Sequence, residues 1–299
     1  MKYHTPALLI ESIEGLNIRP DGVFVDVTFG GGGHSRAILQ RLTTGRLFAL
    51  DHDADALANA SNDERLITER GNFRFLRNYL AHHGYRQVDG ILADLGVSSY
   101  HFDESTRGFS FRYADTPLDM RMNTAAQLTA KAVVNQYPED SLKYVFAEYG
   151  EIPNALRLAR QIVTTRKNVA IHNSGQLTEA IKCCIPRGAE NKYLAKVFQA
   201  LRIEVNSELE NLKSLLMQST DLLRQGGRLV VITYHSLEDR LVKNFFKNGK
   251  FEGSAEKDIY GNVNVPFRQM NNKAIVPTET EIAANSRARS AKMRIGERN

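Results

Sequence analysis

The sequence has little cysteine and no long apolar run, and each absence excludes a class of protein. Its only cysteines, Cys183 and Cys184, are adjacent, which excludes a disulfide framework and the ligand spacing of a metal site. A reducing, cytoplasmic location fits this composition. The apolar runs are too short for a membrane span. The run Ala7–Ile10 is followed at once by Glu11, so it is also too short for a secretory signal.

The net charge of the chain is concentrated near its end. With 299 residues, 42% hydrophobic and 24% charged, the chain can form one or two domains with a sizeable core. Residues 240–299 hold 12 Lys and Arg against 6 Asp and Glu, although the whole chain carries only +5. This basic end is either a footprint for a polyanion such as RNA or a solvated, mobile tail. Its last cations are Arg287, Arg289, Lys292, Arg294 and Arg298.

Residues 22–35 narrow the function more than any other segment. The apolar run Val23–Val27 predicts a buried strand, four glycines follow it, and a helical pattern begins at His34. Strand, glycine turn and helix in this order are typical of a nucleotide-type cofactor site. Glycine lets the backbone turn tightly and come close to a ligand, and the helix start offers unpaired N–H groups.

Two glycine fingerprints compete for this turn. The dinucleotide form fits Gly30-x-Gly32 but fails at its last position, which is Ser35. The methyltransferase form fits Asp26-x-Thr28-x-Gly30-x-Gly32, with Thr28 in place of its first glycine. Asp26 favours the second form. A carboxylate suits the amino-acid part of S-adenosylmethionine, indirectly or through its ammonium group, whereas it would repel a pyrophosphate.

Two further predicted strands also end in an acid. Gly45–Leu50 is followed by Asp51, and Val88–Ala93 is followed by Asp94. A carboxylate at the position of Asp51 can accept both hydroxyl protons of a ribose. Together with Asp26, these acids are predicted to lie at one edge of a sheet, where the ligands of open α/β sheets bind.

The order of patterns predicts an α/β fold with an insertion. Residues 1–100 alternate strand and helix patterns, which favours a parallel sheet with crossover helices. Helical periodicity without a convincing strand follows, and it predicts a helical subdomain over residues 104–200. The domain of the sheet is then discontinuous and comprises residues 1–103 and 201–299.

The second half of the sheet domain is predicted in less detail. One amphipathic helical pattern runs from Phe198 to Leu223 and ends at a pair of glycines. Arg228–His235 predicts a buried strand that resumes the sheet. Residues 249–285 are polar and poor in pattern, which predicts an exposed, partly ordered connection.

Several motifs, in order along the chain, resemble those of one known family. They are Asp94-Leu95-Gly96-Val97-Ser98-Ser99, Arg107-Gly108-Phe109-Ser110-Phe111, Pro117-Leu118-Asp119-Met120-Arg121-Met122, Phe198-Gln199-Ala200-Leu201-Arg202-Ile203, Tyr234-His235-Ser236-Leu237-Glu238-Asp239-Arg240 and Ser286-Arg287-Ala288-Arg289-Ser290-Ala291-Lys292. From Tyr3 to Arg294, the chain resembles the bacterial small-subunit rRNA cytosine-N4 methyltransferases of the RsmH (MraW) type. Ordered matches of this length are far more specific than one glycine turn.

The resemblance implies a fold, a cofactor and a substrate. The fold is a Rossmann-like S-adenosylmethionine-dependent methyltransferase core with an inserted all-helical subdomain, which would recognise rRNA. The methyl donor is S-adenosylmethionine, and the acceptor is a decoding-centre cytosine of 16S rRNA within the small ribosomal subunit. No membrane partner is implied, and a homodimer stays open as the oligomeric state.

The resemblance also carries site residues over to this chain, by motif. The implied cofactor contacts are Gly32, Gly33, His34, Asp51, Phe73, Asp94 and His101. At His101 the family usually has glutamine, which also donates and accepts hydrogen bonds. Two motifs depart from the family pattern, at Ile152 after Tyr149-Gly150-Glu151 and at Ser286 after Asn285. Neither departure removes a residue that is assigned to the chemistry.

Asp94 is the predicted catalytic residue. A cytosine amino group is a poor nucleophile because its lone pair is drawn into the ring, so an acceptor that holds one N–H would orient it. Placement would then supply most of the rate gain. Eight further residues each have two interpretations. Each either contacts the base or its phosphates, or has a structural role in the core or in an ion pair. They are Phe109, Phe111, Tyr234, His235, Arg107, Arg121, Arg202 and Arg240.

Two other functions remain as alternatives. The basic end and the large insertion also fit an RNA-binding ribosome-assembly factor whose methylation is incidental. The hypothesis of a nicotinamide-dependent dehydrogenase is supported only by Gly30-x-Gly32, and Asp26 and Ser35 argue against it.

Overall fold

A seven-stranded sheet forms the frame of the computed structural model, which describes residues 6–96, 107–254 and 265–299. Its strands are β1 (Val23–Asp26), β2 (Arg46–Asp51), β3 (Leu66–Arg70), β4 (Val88–Asp94), β5 (Leu223–Thr233), β6 (Phe267–Gln269) and β7 (Lys292–Arg298). The strand order is β3-β2-β1-β4-β5-β7-β6. Strands β1 to β5 are parallel, whereas β7 runs antiparallel to both of its neighbours. The first five strands thus follow the order of doubly wound α/β folds.

Helices connect these strands, and they are the regular elements in the described part of the insertion. In chain order they are α1 (Leu9–Leu16), α2 (Gly33–Leu39), α3 (Ala54–Leu57), α4 (Leu76–His82), α5 (Ala130–Gln136), α6 (Glu139–Tyr144), α7 (Ala155–Asn168), α8 (Ser174–Ile181), α9 (Glu190–Asn206), α10 (Glu208–Leu222), α11 (Ser236–Asn248) and α12 (Glu279–Ala284). A π-helix (Val145–Tyr149) continues α6, and 3₁₀ turns lie at Phe73–Phe75, Lys182–Cys184 and Ser286–Ser290. None of the helices in the described ranges has the length and apolarity needed to cross a membrane.

The chain divides into two compact units. The sheet unit comprises Met1–Gly96 and Leu209–Asn299, and the helical unit comprises Val97–Glu208. A mixed seven-stranded sheet with helices on its faces is the α/β fold class that the alternating patterns predicted.

Both faces of the sheet are buried, which explains why its strands are apolar on successive residues. Phe24 and Leu92 belong to one apolar cluster with residues of α1 and α2. Val25 and Ile91, their neighbours in sequence, belong to another cluster with residues of α4, α10 and α11. Because side chains alternate across a strand, a parallel sheet covered on both faces needs continuous apolar runs.

The helical unit has an apolar core of its own. Residues from α5 to α9 form one buried cluster around Phe146, Leu158 and Leu201, and the described part of the unit contains no strand, as predicted. Two of its helices begin at polar caps: the Thr129 hydroxyl accepts from the N–H of Ala132 in α5, and the Asn173 side chain caps α8.

One sequence prediction about the later elements is wrong. The pattern from Phe198 to Leu223 is not one helix, because Ser207 adopts a left-handed conformation (φ 50°) that ends α9 before α10 begins. The connection at 249–285 contains the short elements β6 and α12 among its described residues, which fits the prediction of a partly ordered segment. In addition, the half-exposed strand β3 carries a mixed pattern and was not predicted.

The basic end of the chain is part of the sheet and not a mobile tail. Strand β7 lies between β5 and β6, and Arg294 is buried with its guanidinium 2.6 Å from a carboxylate oxygen of Asp239. Arg298 donates hydrogen bonds to the carbonyls of Thr220 and Pro266. Part of the positive charge at this end therefore stabilises the fold. Arg289 and Lys292 remain exposed.

We expect Arg294→Ala to lower the free energy of unfolding by about 3 kcal/mol, because it leaves the carboxylate of Asp239 without its main partner. The matched control is Arg289→Ala, which removes an exposed cation from the same basic segment and should change stability by less than about 0.5 kcal/mol. Urea denaturation of both variants measures the difference. Equal effects of the two substitutions would contradict a structural role for Arg294.

Candidate active site

The register of the parallel strands brings three carboxylates to one edge of the sheet. Asp26 at the end of β1 pairs with Ala49 of β2 and Leu92 of β4. Asp51 and Asp94 each end their strand two residues further on. This arrangement confirms the predicted edge, where open α/β sheets bind their ligands.

The carboxylate of Asp26 forms its hydrogen bonds with other residues of the protein. Its side chain is buried, and its oxygens accept hydrogen bonds from the Ser35 hydroxyl (2.7 Å) and the Thr28 N–H (3.1 Å). Burial raises the pKa of Asp26 to about 6, although both hydrogen bonds oppose the shift. Asp26 therefore ties the end of β1 to α2.

The glycines of the turn are required by the fold. Gly30 and Gly32 have positive φ angles of 51° and 71°. A Cβ atom on Gly32 would lie 2.7 Å from the ring of Phe29, and one on Gly33 would lie 2.2 Å from Pro6. Backbone conformation and close packing thus explain these glycines without a ligand.

Asp51 holds this turn and keeps acceptor capacity. Its Oδ2 accepts from the N–H of Gly30 (2.8 Å), and its Oδ1 accepts from the N–H of Asp53 (2.9 Å). Burial raises the pKa of Asp51, and the main-chain N–H groups oppose the shift. Since each carboxylate oxygen has a second lone pair, the half-buried side chain can also accept from the two hydroxyls of a ribose.

His52, the residue after Asp51, packs against the ring of Phe73. Phe73 opens the 3₁₀ turn after β3, and its ring centroid is 6.2 Å from that of His52 in an edge-to-face arrangement. The N–H of Gly71 donates to the Asp51 carbonyl and joins this turn to the end of β2. Burial lowers the pKa of His52, so its ring is neutral at neutral pH. An acceptor next to uncharged rings matches the chemistry of an adenosine.

Asp94 lies between groups from three other elements. Its Oδ1 accepts a hydrogen bond from the Tyr234 hydroxyl (2.8 Å), one residue after β5. Its Oδ2 is 3.7 Å from Nδ1 of His34 in α2. Its main-chain N–H donates to the Thr28 hydroxyl at the end of β1 (2.7 Å). The carboxyl group is thereby fixed, while 21% of the side chain stays exposed.

The surroundings of Asp94 favour its protonated form. Burial raises its pKa to about 7, the hydrogen bond from Tyr234 opposes this, and the charges of Asp26 and Glu238 raise it further. Burial and the charge of Asp94 raise the pKa of Tyr234 well above its usual value, so its hydroxyl stays a donor. A carboxyl that titrates near neutral pH at a ligand-binding edge suits proton transfer.

His34 is neutral and faces Asp94 with a lone pair. Its imidazole is buried, and Nε2 lies 3.2 Å from the Ala7 carbonyl, so Nε2 carries the hydrogen. Burial lowers the pKa of His34 to about 4. Nδ1 is then unprotonated and points towards Asp94. A cofactor contact from His34 would therefore involve its main chain, since the protein engages its side chain.

The other aromatic and histidine candidates have different positions. Phe109 is buried in the core of the helical unit, and Phe111 packs on Phe198 in the same unit. Among the stacking candidates, only Tyr234 belongs to the sheet edge, where it acts through its hydroxyl. His235 caps α11 in a capping box with Glu238. His101 lies outside the described residues.

Three of the arginine candidates have partners within the helical unit. Arg121 forms a two-pronged ion pair with Asp119, and Arg202 does the same with Glu208. Arg107 donates to the carbonyl of Met122 and lies over the ring of Phe109. Each therefore has the structural role that was the alternative to binding phosphate.

Sequence reasoning missed several residues that build the site. Thr28 links β1 to Asp94, Ser35 holds Asp26, and Glu238 accepts from the N–H of Tyr234 (2.9 Å). Thr28 and Ser35 occupy the two positions where the glycine fingerprints were broken, so each departure marked a side chain with a function. Glu238 lies within the motif from Tyr234 to Arg240, but that motif gave it no role of its own.

Comparison with known proteins identifies the family of the chain. The model of the MraW methylase family matches residues 1–299. The chain is 57% identical over 299 residues to the ribosomal RNA small subunit methyltransferase H of Bacteroides thetaiotaomicron, covering 100% of this chain and 98% of that protein. The protein of the same name from Flavobacterium johnsoniae is 54% identical over 299 residues, with 100% and 98% covered. The resemblance indicated by the ordered motifs is thus confirmed, and the chain belongs to the MraW methylase family.

Proposed function

We propose that the chain methylates N4 of a decoding-centre cytosine of 16S rRNA within the small ribosomal subunit. The observation that carries the proposal is the carboxyl group of Asp94, held by Tyr234 at the ligand-binding edge of the sheet. The name ribosomal RNA small subunit methyltransferase H, which is that of relatives 52–57% identical to this chain, supports an rRNA acceptor. The ordered motifs support the choice of a cytosine amino group.

The methyl donor is S-adenosylmethionine, and the sheet edge has the groups to hold it. Asp51 would accept from its ribose hydroxyls, Phe73 would lie beside its adenine, and the turn at Gly32 and Gly33 would hold its methionine part. His101 is a further proposed contact. When bound, S-adenosylmethionine supplies a methyl carbon that bonds to the acceptor nitrogen, while its sulfur keeps the electron pair of the broken bond.

Asp94 has two tasks in this reaction. Its carboxylate accepts an N–H hydrogen bond from the cytosine amino group, which orients the nitrogen and favours a pyramidal geometry with an available lone pair. After the nitrogen has gained the methyl group it is cationic, and one of its protons moves to the carboxylate. A carboxyl whose pKa is about 7 can both give up and take a proton near neutral pH.

We propose that the helical insertion, residues 104–200, recognises the rRNA, and that residues 1–103 and 201–299 form the catalytic domain. A surface groove along α7 supports this role, since it offers two guanidinium groups and several polar side chains to a phosphate backbone. It is lined by Asn154, Leu156, Arg157, Arg160, Gln161 and Thr164. The guanidinium groups are already oriented, by the Cys183 carbonyl for Arg157 and by Glu139 for Arg160.

The wild-type chain should transfer labelled methyl groups to cytosine N4 of small subunits that lack the modification. Asp94→Asn should lower the rate of transfer by about 10²- to 10⁴-fold, because the amide cannot take the proton. Nucleoside analysis of the digested rRNA locates the label, and the thermal unfolding of the variant shows whether it is folded. Absence of label on cytosine N4 with the wild-type chain would overturn the proposed function.

Asp51→Ala should weaken S-adenosylmethionine binding by about 10- to 100-fold, because charge-assisted hydrogen bonds to the ribose are lost. The matched control is Asp89→Ala. Like Asp51, which accepts from the N–H of Gly30, Asp89 accepts from a main-chain N–H, that of Val23 (2.7 Å). Asp89 lies near the start of β4, at the edge of the sheet opposite to the three strand-end carboxylates. Calorimetric titration of both variants gives the affinities. The assignment of Asp51 fails if the two variants bind the cofactor equally well.

The rate of methyl transfer should rise with pH through about 7. Asp94 must be ionised to take a proton, and burial holds its pKa near that value. Below pH 6 the rate should therefore fall about tenfold for each pH unit. Single-turnover rates between pH 5.5 and 8.5 measure this acid limb. A flat profile across the range would show that Asp94 does not act as the base.

A further inference from the structure

Tyr234 is held on three sides. Its hydroxyl donates to Oδ1 of Asp94 (2.8 Å), and its main-chain N–H donates to the buried carboxylate of Glu238 (2.9 Å). Its ring packs against Gly96, where a Cβ atom would lie 3.2 Å from the ring. With the main chain, the ring and the hydroxyl all constrained, Tyr234 presents its O–H to Asp94 in one orientation.

The two oxygens of Asp94 consequently have different neighbours. Oδ1 faces a permanent donor, because the Tyr234 hydroxyl keeps its proton. Oδ2 faces the unprotonated Nδ1 of His34 at 3.7 Å. A lone pair next to Oδ2 favours a proton on that oxygen, whereas an O–H next to Oδ1 favours a negative charge. The arrangement therefore specifies which oxygen of the carboxylate receives a proton.

We propose that Tyr234 is a positioning residue for methyl transfer, which fixes the carboxylate of Asp94 through Oδ1 so that Oδ2 takes the proton released by the methylated amino group. This inference rests on the proposed function of Asp94. The proton balance is simple: the nitrogen loses one proton, Oδ2 gains it, and the Tyr234 hydroxyl keeps its own. Tyr234 thus acts through Asp94 and not on the substrate.

The charged and titratable groups around this pair come from several elements. Asp26 of β1, His34 of α2 and Glu238 of α11 face Asp94, in addition to Tyr234. Glu238 and Glu281 act on Tyr234. The charges of Asp26 and Glu238 disfavour a negative charge on Asp94, and the hydrogen bond from the Tyr234 hydroxyl opposes them.

Tyr234→Phe removes this donor and keeps the ring against Gly96. We expect the acid limb of the rate profile to move up by about one pH unit, because a hydrogen bond to the ionised form is lost. The rate constant at saturating substrate should fall about tenfold or more at pH 7, while the Kd for S-adenosylmethionine should change less than twofold. A residue that only stabilised the fold would not move the pH profile.

The matched control is Tyr137→Phe. The Tyr137 hydroxyl donates to a carboxylate oxygen of Glu204 at 2.7 Å in the helical unit, so this variant removes the same kind of bond away from the sheet edge. Its acid limb should stay at the wild-type pH. An equal shift in both variants would overturn the assignment of Tyr234.

A second measurement needs neither cofactor nor RNA. In protein labelled with ¹³C at aspartate carboxyl groups, the Asp94 resonance, assigned by its loss in Asp94→Asn, should titrate about one unit higher in Tyr234→Phe. An unchanged titration would overturn the inference even if the wild-type chain methylates rRNA. Failure of the wild-type chain to methylate rRNA would instead overturn the proposed function, and the titration would still show whether Tyr234 controls Asp94.

Discussion

The parallel register of β1, β2 and β4 is the constraint on which the rest of the site depends. It fixes three strand ends at one edge, and each ends in aspartate. Carboxylates that are close together and partly removed from water repel one another and lose hydration. The surrounding residues compensate with hydroxyl and N–H donors: Ser35 and Thr28 for Asp26, the turn at Gly30 for Asp51, and Tyr234 for Asp94.

These donors do not fully offset the burial and repulsion of the carboxylates, so the pKa values of Asp26 and Asp94 stay raised. The pKa of Asp26 is raised to about 6 and that of Asp94 to about 7, both above the value of an aspartate in an unfolded chain. Their contribution to stability is therefore full in acid and is lost as the pH rises through these values. At neutral pH the sheet edge is less stable than neutral side chains would make it. A carboxyl whose pKa is brought near neutral pH at a cost in stability is typical of a catalytic site.

The basic end of the chain shows how composition alone misleads. A cluster of cations predicted either an RNA footprint or a mobile tail, since charge counts carry no information on burial. In the structure, β5 and β6 pair with this segment through main-chain hydrogen bonds, and the apolar residues Met293 and Ile295 alternate with its charges. The buried Arg294 then needs Asp239 as its counter-ion. The sequence contained this alternation of apolar and charged residues, but the high density of cations made it hard to recognise as a strand pattern.

Local patterns in the sequence determined the strands β1, β2 and β4 with their terminal acids, the glycine turn, the helical insertion and, through ordered motifs, the family. These features depend on neighbouring residues, whose periodicity is visible in a single chain. The contact of the Tyr234 hydroxyl with Asp94, 140 residues earlier, depends on tertiary packing, and so does the position of His34 beside the same carboxyl. Such contacts follow from the pairing of β4 with β5 and the packing of α2, since a hydrogen bond requires a separation near 3 Å that no sequence spacing encodes.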